Sequence, residues 1–236
     1  MELEIAYLYH DLLNTYGDEG NIKILKNRAE SRGIKVNTER ISVGDSIKSA
    51  DILFIGGGQD KEQKIAAEDL IKNKKDFLEG YLKDGGSGLF ISSGFEIMGD
   101  YFFDEAENKI KGASILPIHT EFGGERRTGN IFVRSSLETL VGFENHGGRI
   151  YLDGGESLGE VILGFGNNGR DKTEGCVYKN FWGTNMHGPL LSKNPAFADN
   201  IIRSAMIRKY GSFVLEPLDD SLELLAKKKM TERFIR

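Results

Sequence analysis

A chain of 236 residues is long enough to bury a sizeable core as one large domain or two small ones. Its net charge of −5 argues against nucleic acid as the main partner, and its single cysteine, Cys176, leaves no room for a disulfide framework or a cysteine zinc site. The acidic start Met1-Glu2-Leu3-Glu4 has no leader pattern and no stretch approaches a membrane span, so a cytoplasmic, non-inserted protein is expected.

Leu3 to Leu8 reads as a first strand, and the polar segment Tyr9 to Asn21 is too glycine-broken to continue it. Apolar residues at Ile22, Leu25 and Ala29, with Gly33 as a stop, predict a helix over 22–32. Ile34 to Ile41 reads as a second strand. Asp51 to Ile55 reads as a third, so apolar that both faces should be covered. A helical stretch from about Glu62 to Leu82 and a strand at Leu89 to Ile91 follow. Strand–helix alternation of this kind predicts an α/β fold with a mostly parallel sheet flanked by helices.

The second half changes character. Segments 118–120, 129–134, 140–143, 159–166 and 176–183 read as shorter strands that extend the sheet or build an antiparallel layer beside it. Pro195 to Tyr210 returns to helix, with proline in its first turn. From about residue 215 the chain is a highly charged tail (Lys227, Lys228, Lys229, Arg233, Arg236), expected as a surface helix or a frayed end. One domain over 1–236 is the simplest organisation.

The most informative stretch is Gly85 to Gly99. A buried strand ends abruptly at Ser92-Ser93-Gly94, and a helix begins at Phe95. Such an elbow holds its turn residue clear of the sheet and against helix-terminal amides, where developing negative charge is stabilised. Phe90 stands where the Gly-x-Ser-x-Gly elbow has its first glycine, so Ser92 reads either as a nucleophile or as a plain helix cap. A base would come from the histidines. His187 and His146 sit among turn residues at strand ends, whereas His10 and His119 read as structural. Gly56-Gly57-Gly58 reads as a tight turn or as an oxyanion site, and it lacks the lysine of a phosphate-binding loop. Arg126-Arg127 reads as a carboxylate clamp or as a solvated surface pair. No histidine–carboxylate spacing suggests a metal.

These pieces, in this order, resemble a known family. The segments are 13–22 (Leu-Asn-Thr-Tyr-Gly-Asp-Glu-Gly-Asn-Ile), 54–63 (Phe-Ile-Gly-Gly-Gly-Gln-Asp-Lys-Glu-Gln) and 127–131 (Arg-Thr-Gly-Asn-Ile). They continue with 142–149 (Gly-Phe-Glu-Asn-His-Gly-Gly-Arg), 166–168 (Gly-Asn-Asn), 178–180 (Tyr-Lys-Asn) and 183–189 (Gly-Thr-Asn-Met-His-Gly-Pro). Together they resemble the GatD-type glutamine amidotransferase subunits of lipid II isoglutaminyl synthase, in the cobyric acid synthase-like branch of class I amidotransferases. The resemblance implies a flavodoxin-like class I amidotransferase fold and a glutaminase that releases ammonia from L-glutamine. It implies a MurT-type, Mur-ligase-like partner in a heterodimer, which amidates the α-carboxyl of D-glutamate in the lipid II stem peptide. ATP and magnesium would belong to that partner, with no cofactor in this subunit. By position, His187 matches the family's histidine and Arg126 the arginine that holds glutamine, with amides near Gly57 and Ser93 as the oxyanion hole. Glu144, Asn145 and His146 are candidates for supporting the site or for shaping a turn.

The elbow departs from the family pattern Ile-Cys-Gly-Gly-Phe/Tyr-Gln and reads Ile91-Ser92-Ser93-Gly94-Phe95-Glu96. The nucleophilic cysteine has become Ser92, by design or by natural drift. A thiol ionises near about 8.5 and a hydroxyl far higher, so glutaminase activity is expected to be impaired. A non-catalytic partner-binding subunit and a serine hydrolase or peptidase on the same fold stay open beside it.

Overall fold

The computed structural model describes residues 1–235; Arg236, the last charge of the tail, lies outside the described residues. The first half alternates as the apolar pattern requires. β1 (Glu2–Leu8) leads through a loop into α1 (Glu19–Glu30), followed by β2 (Lys35–Ile41) and β3 (Ile52–Ile55). α2 (Asp60–Asp69) and α3 (Lys75–Lys83) precede β4 (Ser87–Ile91), which turns into the single helical turn α4 (Ser93–Glu96).

β5 (Tyr101–Phe103) and β6 (Lys109–Lys111) form a hairpin. β7 (Ile118–Glu121), β8 (Arg127–Arg134), β9 (Thr139–His146), β10 (Arg149–Leu152), β11 (Gly159–Leu163) and β12 (Thr173–Glu174) come next. β13 (Cys176–Tyr178), β14 (Phe181–Thr184) and β15 (Met186–His187) complete the strands, and α5 (Pro195–Tyr210) and α6 (Ser221–Phe234) close the chain.

The main sheet has six strands in the order β13-β14-β4-β3-β1-β2, all parallel except the antiparallel edge strand β13. β3 and β4 are buried along their whole length because helices cover both faces. Their side chains divide by strict alternation. Ile52, Phe54, Leu89 and Ile91 join the core beneath α1 and α5, while Leu53, Ile55 and Phe90 join the core on the opposite face, beside α2 and α3. The antiparallel layer expected in the second half is the five-stranded sheet β12-β11-β8-β9-β15.

Three expectations are corrected. The strand expected over 176–183 is a hairpin, β13 and β14, turning at Lys179, whose φ is 56°. The strand expected over 159–166 stops at Leu163, because Gly164 takes a φ of 111°. The helix over 62–82 is divided by a widened π turn at Leu70–Lys74. Of the two readings of the tail from 215, the surface helix holds: α6 docks, with Lys227 on Glu138 and Asp220 on Arg28. No helix among the described residues is long and apolar enough to cross a membrane.

Candidate active site

Parallel strands all present their carboxyl ends at one edge of a sheet, and the loops there share a cleft. β3 ends in Gly56-Gly57-Gly58, β4 ends at Ser92, and β14 runs through Asn185 into His187. These neighbours in the sheet bring three segments, more than 120 residues apart at the extremes, to a cavity of about 920 Å³. Thr15, Tyr16, Gly58, Ser92, Ser93, Glu96, Arg126, Asn145, His146 and His187 all face it.

Ser92 sits at φ 50° and ψ −115°, a conformation that an L-residue holds only at a cost of order 1–3 kcal/mol. Its amide still closes the β4–β14 ladder by donating to the Thr184 carbonyl at 2.8 Å, and its carbonyl accepts from Phe95 and Glu96. The side chain makes no cap hydrogen bond, so the plain helix-cap reading of Ser92 is corrected. A strained backbone pinned on both sides, with the hydroxyl left over, is the geometry of a nucleophile elbow.

His187 is 2% exposed and is held in place by the pairing of β15 with Phe143 of β9. Its Nδ1 lies 3.1 and 3.2 Å from the two carboxylate oxygens of Asp18. An ionised carboxylate only accepts, so Nδ1 carries the proton in the neutral ring and Nε2 is left as the acceptor. Asp18 is completely buried and also accepts the Gly57 N–H at 2.8 Å. The convergence is tight: a Cβ added to Gly57 would lie 2.8 Å from His187 Cε1, 3.2 Å from Ser92 Cβ and 3.4 Å from an Asp18 carboxylate oxygen. Only glycine fits at the centre of such a group. Tyr16 packs edge-on against the His187 ring at 5.0 Å.

Asp18 went unrecognised in sequence as a site residue. The loop Tyr9 to Asn21 reads there as too polar for a strand and, over 13–22, as part of the family resemblance with no role given to Asp18, and 169 residues separate Asp18 from its partner. The one signal present was a polar segment directly after the first strand of a parallel sheet, which is where such sheets place site residues.

The oxyanion expectation for Gly57 is also corrected, because its N–H is already committed to Asp18. Among the described residues, the amides of Gly58 and Ser93 have no hydrogen-bond acceptor. The Ser93 hydroxyl donates to the Gly58 carbonyl at 2.8 Å and so ties these two amides into one unit beside Ser92. The amides left open beside Ser92 are thus those of Gly58 and Ser93.

Arg126 lines the same cavity. Its Nε donates to Asn145 Oδ1 at 2.6 Å, and its two terminal amino groups have no acceptor among the described residues. A guanidinium aimed from one edge with its fork free suits a carboxylate. Asn145 thus acts as a positioning residue, shared with Thr128 and Tyr16. His146 is no base. Its ring lies 3.3 Å from the buried Glu144 carboxylate and 3.2 Å from the Gly148 carbonyl. Glu144 in turn accepts the amides of Phe165 and Gly166 at 2.7 and 3.0 Å, fixing a loop. His10 and His119 lie outside the cavity, as their structural reading requires.

Glu96, on the cavity wall, accepts from Gln63 Nε2 at 2.6 Å. Burial raises its pKa above the usual carboxylate range, against the opposing pull of Gln63 and His146. Cys176 is buried behind the sheet, where burial pushes its thiol up to about 12 and keeps it unreactive. No group of three or more histidine, cysteine or carboxylate side chains among the described residues is arranged to hold a metal.

The site can be compared with known proteins. The CobB/CobQ-like glutamine amidotransferase domain matches over residues 4–195. The chain is 42% identical over 235 residues to the GatD subunit of the glutamine-hydrolysing lipid II isoglutaminyl synthase of Staphylococcus aureus, covering 98% of this chain and 96% of that one. It is 40% identical over 222 residues to the same subunit from Streptococcus pneumoniae, covering 92% of this chain and 85% of that one. A crystal structure of a glutamine amidotransferase superposes with a TM-score of 0.57 at 13% identity, over 85% of this chain and 98% of that one, a likeness of fold. With its doubly wound sheet, its elbow and its histidine–aspartate pair at the carboxyl edge, this chain belongs to the CobB/CobQ-like glutamine amidotransferase family.

Proposed function

We propose that this protein is the glutamine-hydrolysing subunit of a lipid II isoglutaminyl synthase and passes ammonia to a MurT-type ligase subunit in the cytoplasm. The observation that carries the reading is the packing of Ser92, His187 and Asp18 around Gly57, in a cavity that Arg126 also faces. The two relatives named above supply the larger assembly, since each is named as a subunit of that synthase.

In this reading Arg126 holds the α-carboxylate of L-glutamine and directs its side-chain amide toward Ser92. The Ser92 Oγ forms a bond to the amide carbon while its proton passes to His187 Nε2, and the carbonyl electrons move onto oxygen between the Gly58 and Ser93 amides. Asp18 keeps the ring in the required tautomer and stabilises the imidazolium. The C–N bond then breaks, nitrogen takes the proton from His187, and ammonia leaves. Water, deprotonated by the same imidazole, then bonds to the ester carbon; the C–O bond to Ser92 breaks, Oγ takes the proton back from His187, and glutamate leaves. ATP and magnesium would be held by the partner subunit and would supply the activation of the carboxyl to be amidated.

Serine weakens the first step, because a site built to stabilise a thiolate beside an imidazolium does little for an alcohol. The serine also favours a second reading, a subunit that binds the ligase without chemistry of its own. Ammonia release from L-glutamine, measured with the partner present for the parent chain and for Ser92→Cys, separates them. Slow parent turnover and a gain of about a hundredfold or more in Ser92→Cys is expected for an otherwise intact glutaminase. Silence in both forms moves the non-catalytic reading to the front.

A further inference from the structure

Beside the main cavity lies a second one of about 280 Å³, bordered by Phe122 and Gly123, which also line the first. Three arginines face it: Arg127 on β8, Arg149 on β10 and Arg170 from the loop after β11. None of the three is ion-paired with a carboxylate among the described residues. Glu121 and Glu125 are on the lining, but Glu121 accepts the Tyr101 hydroxyl at 2.6 Å and Glu125 is exposed.

Each arginine is held for a reason other than pairing. Arg149 donates to four carbonyls, those of Gly147, Gly148, Gly123 and Glu125, at 2.6 to 3.1 Å, so its charge meets only neutral dipoles. The Arg127 guanidinium is closely packed: its Cζ lies 5.5 Å from the centre of the Phe165 ring, and a Cβ on Gly169 would come within 2.5 Å of it. Arg127 Nη1 is buried with no hydrogen-bond acceptor among the described residues, a rare arrangement for a charged donor and one that an anion or ordered water resolves. Arg170 is exposed, on a turn fixed by Asn168, which accepts its backbone N–H at 3.0 Å. Burial, and then the neighbouring arginine charges, lower the pKa of Arg149; burial and Arg170 do the same for Arg127, partly opposed by Glu144.

The neighbouring pair Arg126-Arg127 divides its work by the alternation of extended chain: the first faces the main cavity and the second faces this one. We propose that the three-arginine cavity is a binding site for a phosphate group. The open guanidinium groups of Arg127 and Arg170, with Arg149 adding its charge and its remaining Nε–H, match a tetrahedral dianion with four acceptor oxygens better than a carboxylate with two. The site stands apart from the glutaminase reading, since none of its residues touches Ser92, His187 or Asp18. An occupant would bridge Arg127 to Arg149, which already ties down the carbonyls of Gly123 and Glu125.

Calorimetric titration of the full chain with inorganic phosphate and with pyrophosphate, against chloride at matched ionic strength, tests the proposal. Saturable binding of phosphate is expected, weakened about tenfold in Arg170→Ala, whose exposed side chain can be removed without disturbing the fold. Arg127→Met keeps the packing between Phe165 and Gly169 and should remove binding. Pyrophosphate binding much more tightly than phosphate would identify a diphosphate ligand, and equal binding a single phosphate group. Amide exchange across residues 122–127 should slow at saturation. No saturable binding of either anion, binding unchanged in both variants, or exchange slowed elsewhere but not over 122–127 would each overturn the assignment.

Discussion

The site works at the scale of single atoms. Asp18 accepts two hydrogen bonds, from Gly57 N–H and from His187 Nδ1, and the second selects the tautomer that leaves Nε2 free. Asp18→Asn, made in the Ser92→Cys form so that turnover is measurable, offers an amide that can present its N–H to Nδ1 and reverse the tautomer. Glutaminase kcat is expected to fall by about two to four orders of magnitude, with KM for glutamine little changed. Arg126→Ala should show the opposite division, a raised KM with kcat less affected, because its free fork addresses the substrate and not the reacting bond. Glu96 makes a prediction in pH. Its folded pKa is raised, so ionisation penalises the native state once pH rises above the ordinary carboxylate range. The penalty grows through the folded pKa. Glu96→Gln, which retains the Gln63 bond, should therefore gain stability over the parent as pH rises above about 5 in urea-midpoint measurements.

At the scale of elements, the interruption between α2 and α3 has a chemical cause. A π turn closes hydrogen bonds five residues apart, and it places Asp69 and Lys74, also five apart, on one buried face. The pair is almost wholly buried, and Asp69 also accepts the Tyr9 hydroxyl and the Gly44 amide, both at 2.8 Å. Its carboxyl is held below the usual range by these partners in spite of its burial. Lys74→Met leaves that carboxylate without its cation, and a loss of about 3–5 kcal/mol is expected by chemical denaturation. The sequence showed the helix, since apolar spacing persists from Glu62 to Leu82. It did not show the break, because an ion pair formed only in the folded interior decides it. The hairpin at 179–180 follows the same rule. The apolar residues of 176–183 are compatible with one strand interrupted by Lys179-Asn180, and the turn there is held by Asn180 reaching the Gly85 carbonyl at 3.0 Å.

At the scale of the whole molecule, the chain's end is fastened to its beginning. Arg28 of α1 makes a double contact to Asp199 of α5 at 2.7 and 2.8 Å and a further one to Asp220 at the start of α6 at 2.5 Å, while Arg32 joins the same Asp199. The Asp199 carboxyl is held below its ordinary pKa by the two arginines, against the cost of burial. A depressed carboxylate contributes stability above its unfolded pKa and loses it as pH falls through the folded value. Acid should accordingly loosen this junction. Arg28→Ala is expected to cost about 1.5–3 kcal/mol at neutral pH, with the difference from the parent shrinking as the pH is lowered through the carboxylate range. Limited proteolysis should then cut ahead of α6 sooner in the variant than in the parent.

Local patterns were enough for the alternating half of the fold, because a parallel sheet writes its buried strands and amphipathic helices into runs of a few residues. They were enough as well to bring Ser92 and His187 forward as candidates, since both stand beside sharp changes of chain direction that glycine announces, while Arg126 came forward by resemblance to the family. Residue pattern carried the family too, in segments spread from 13 to 189. What tertiary structure alone decided is every relation across long separations. Asp18 meets His187 from 169 residues away, Gly57 spends its amide on Asp18 so that Gly58 is left over, and three arginines from three segments share one cavity. Periodicity reports which face of an element is buried. Only the folded chain sets what that face is buried against.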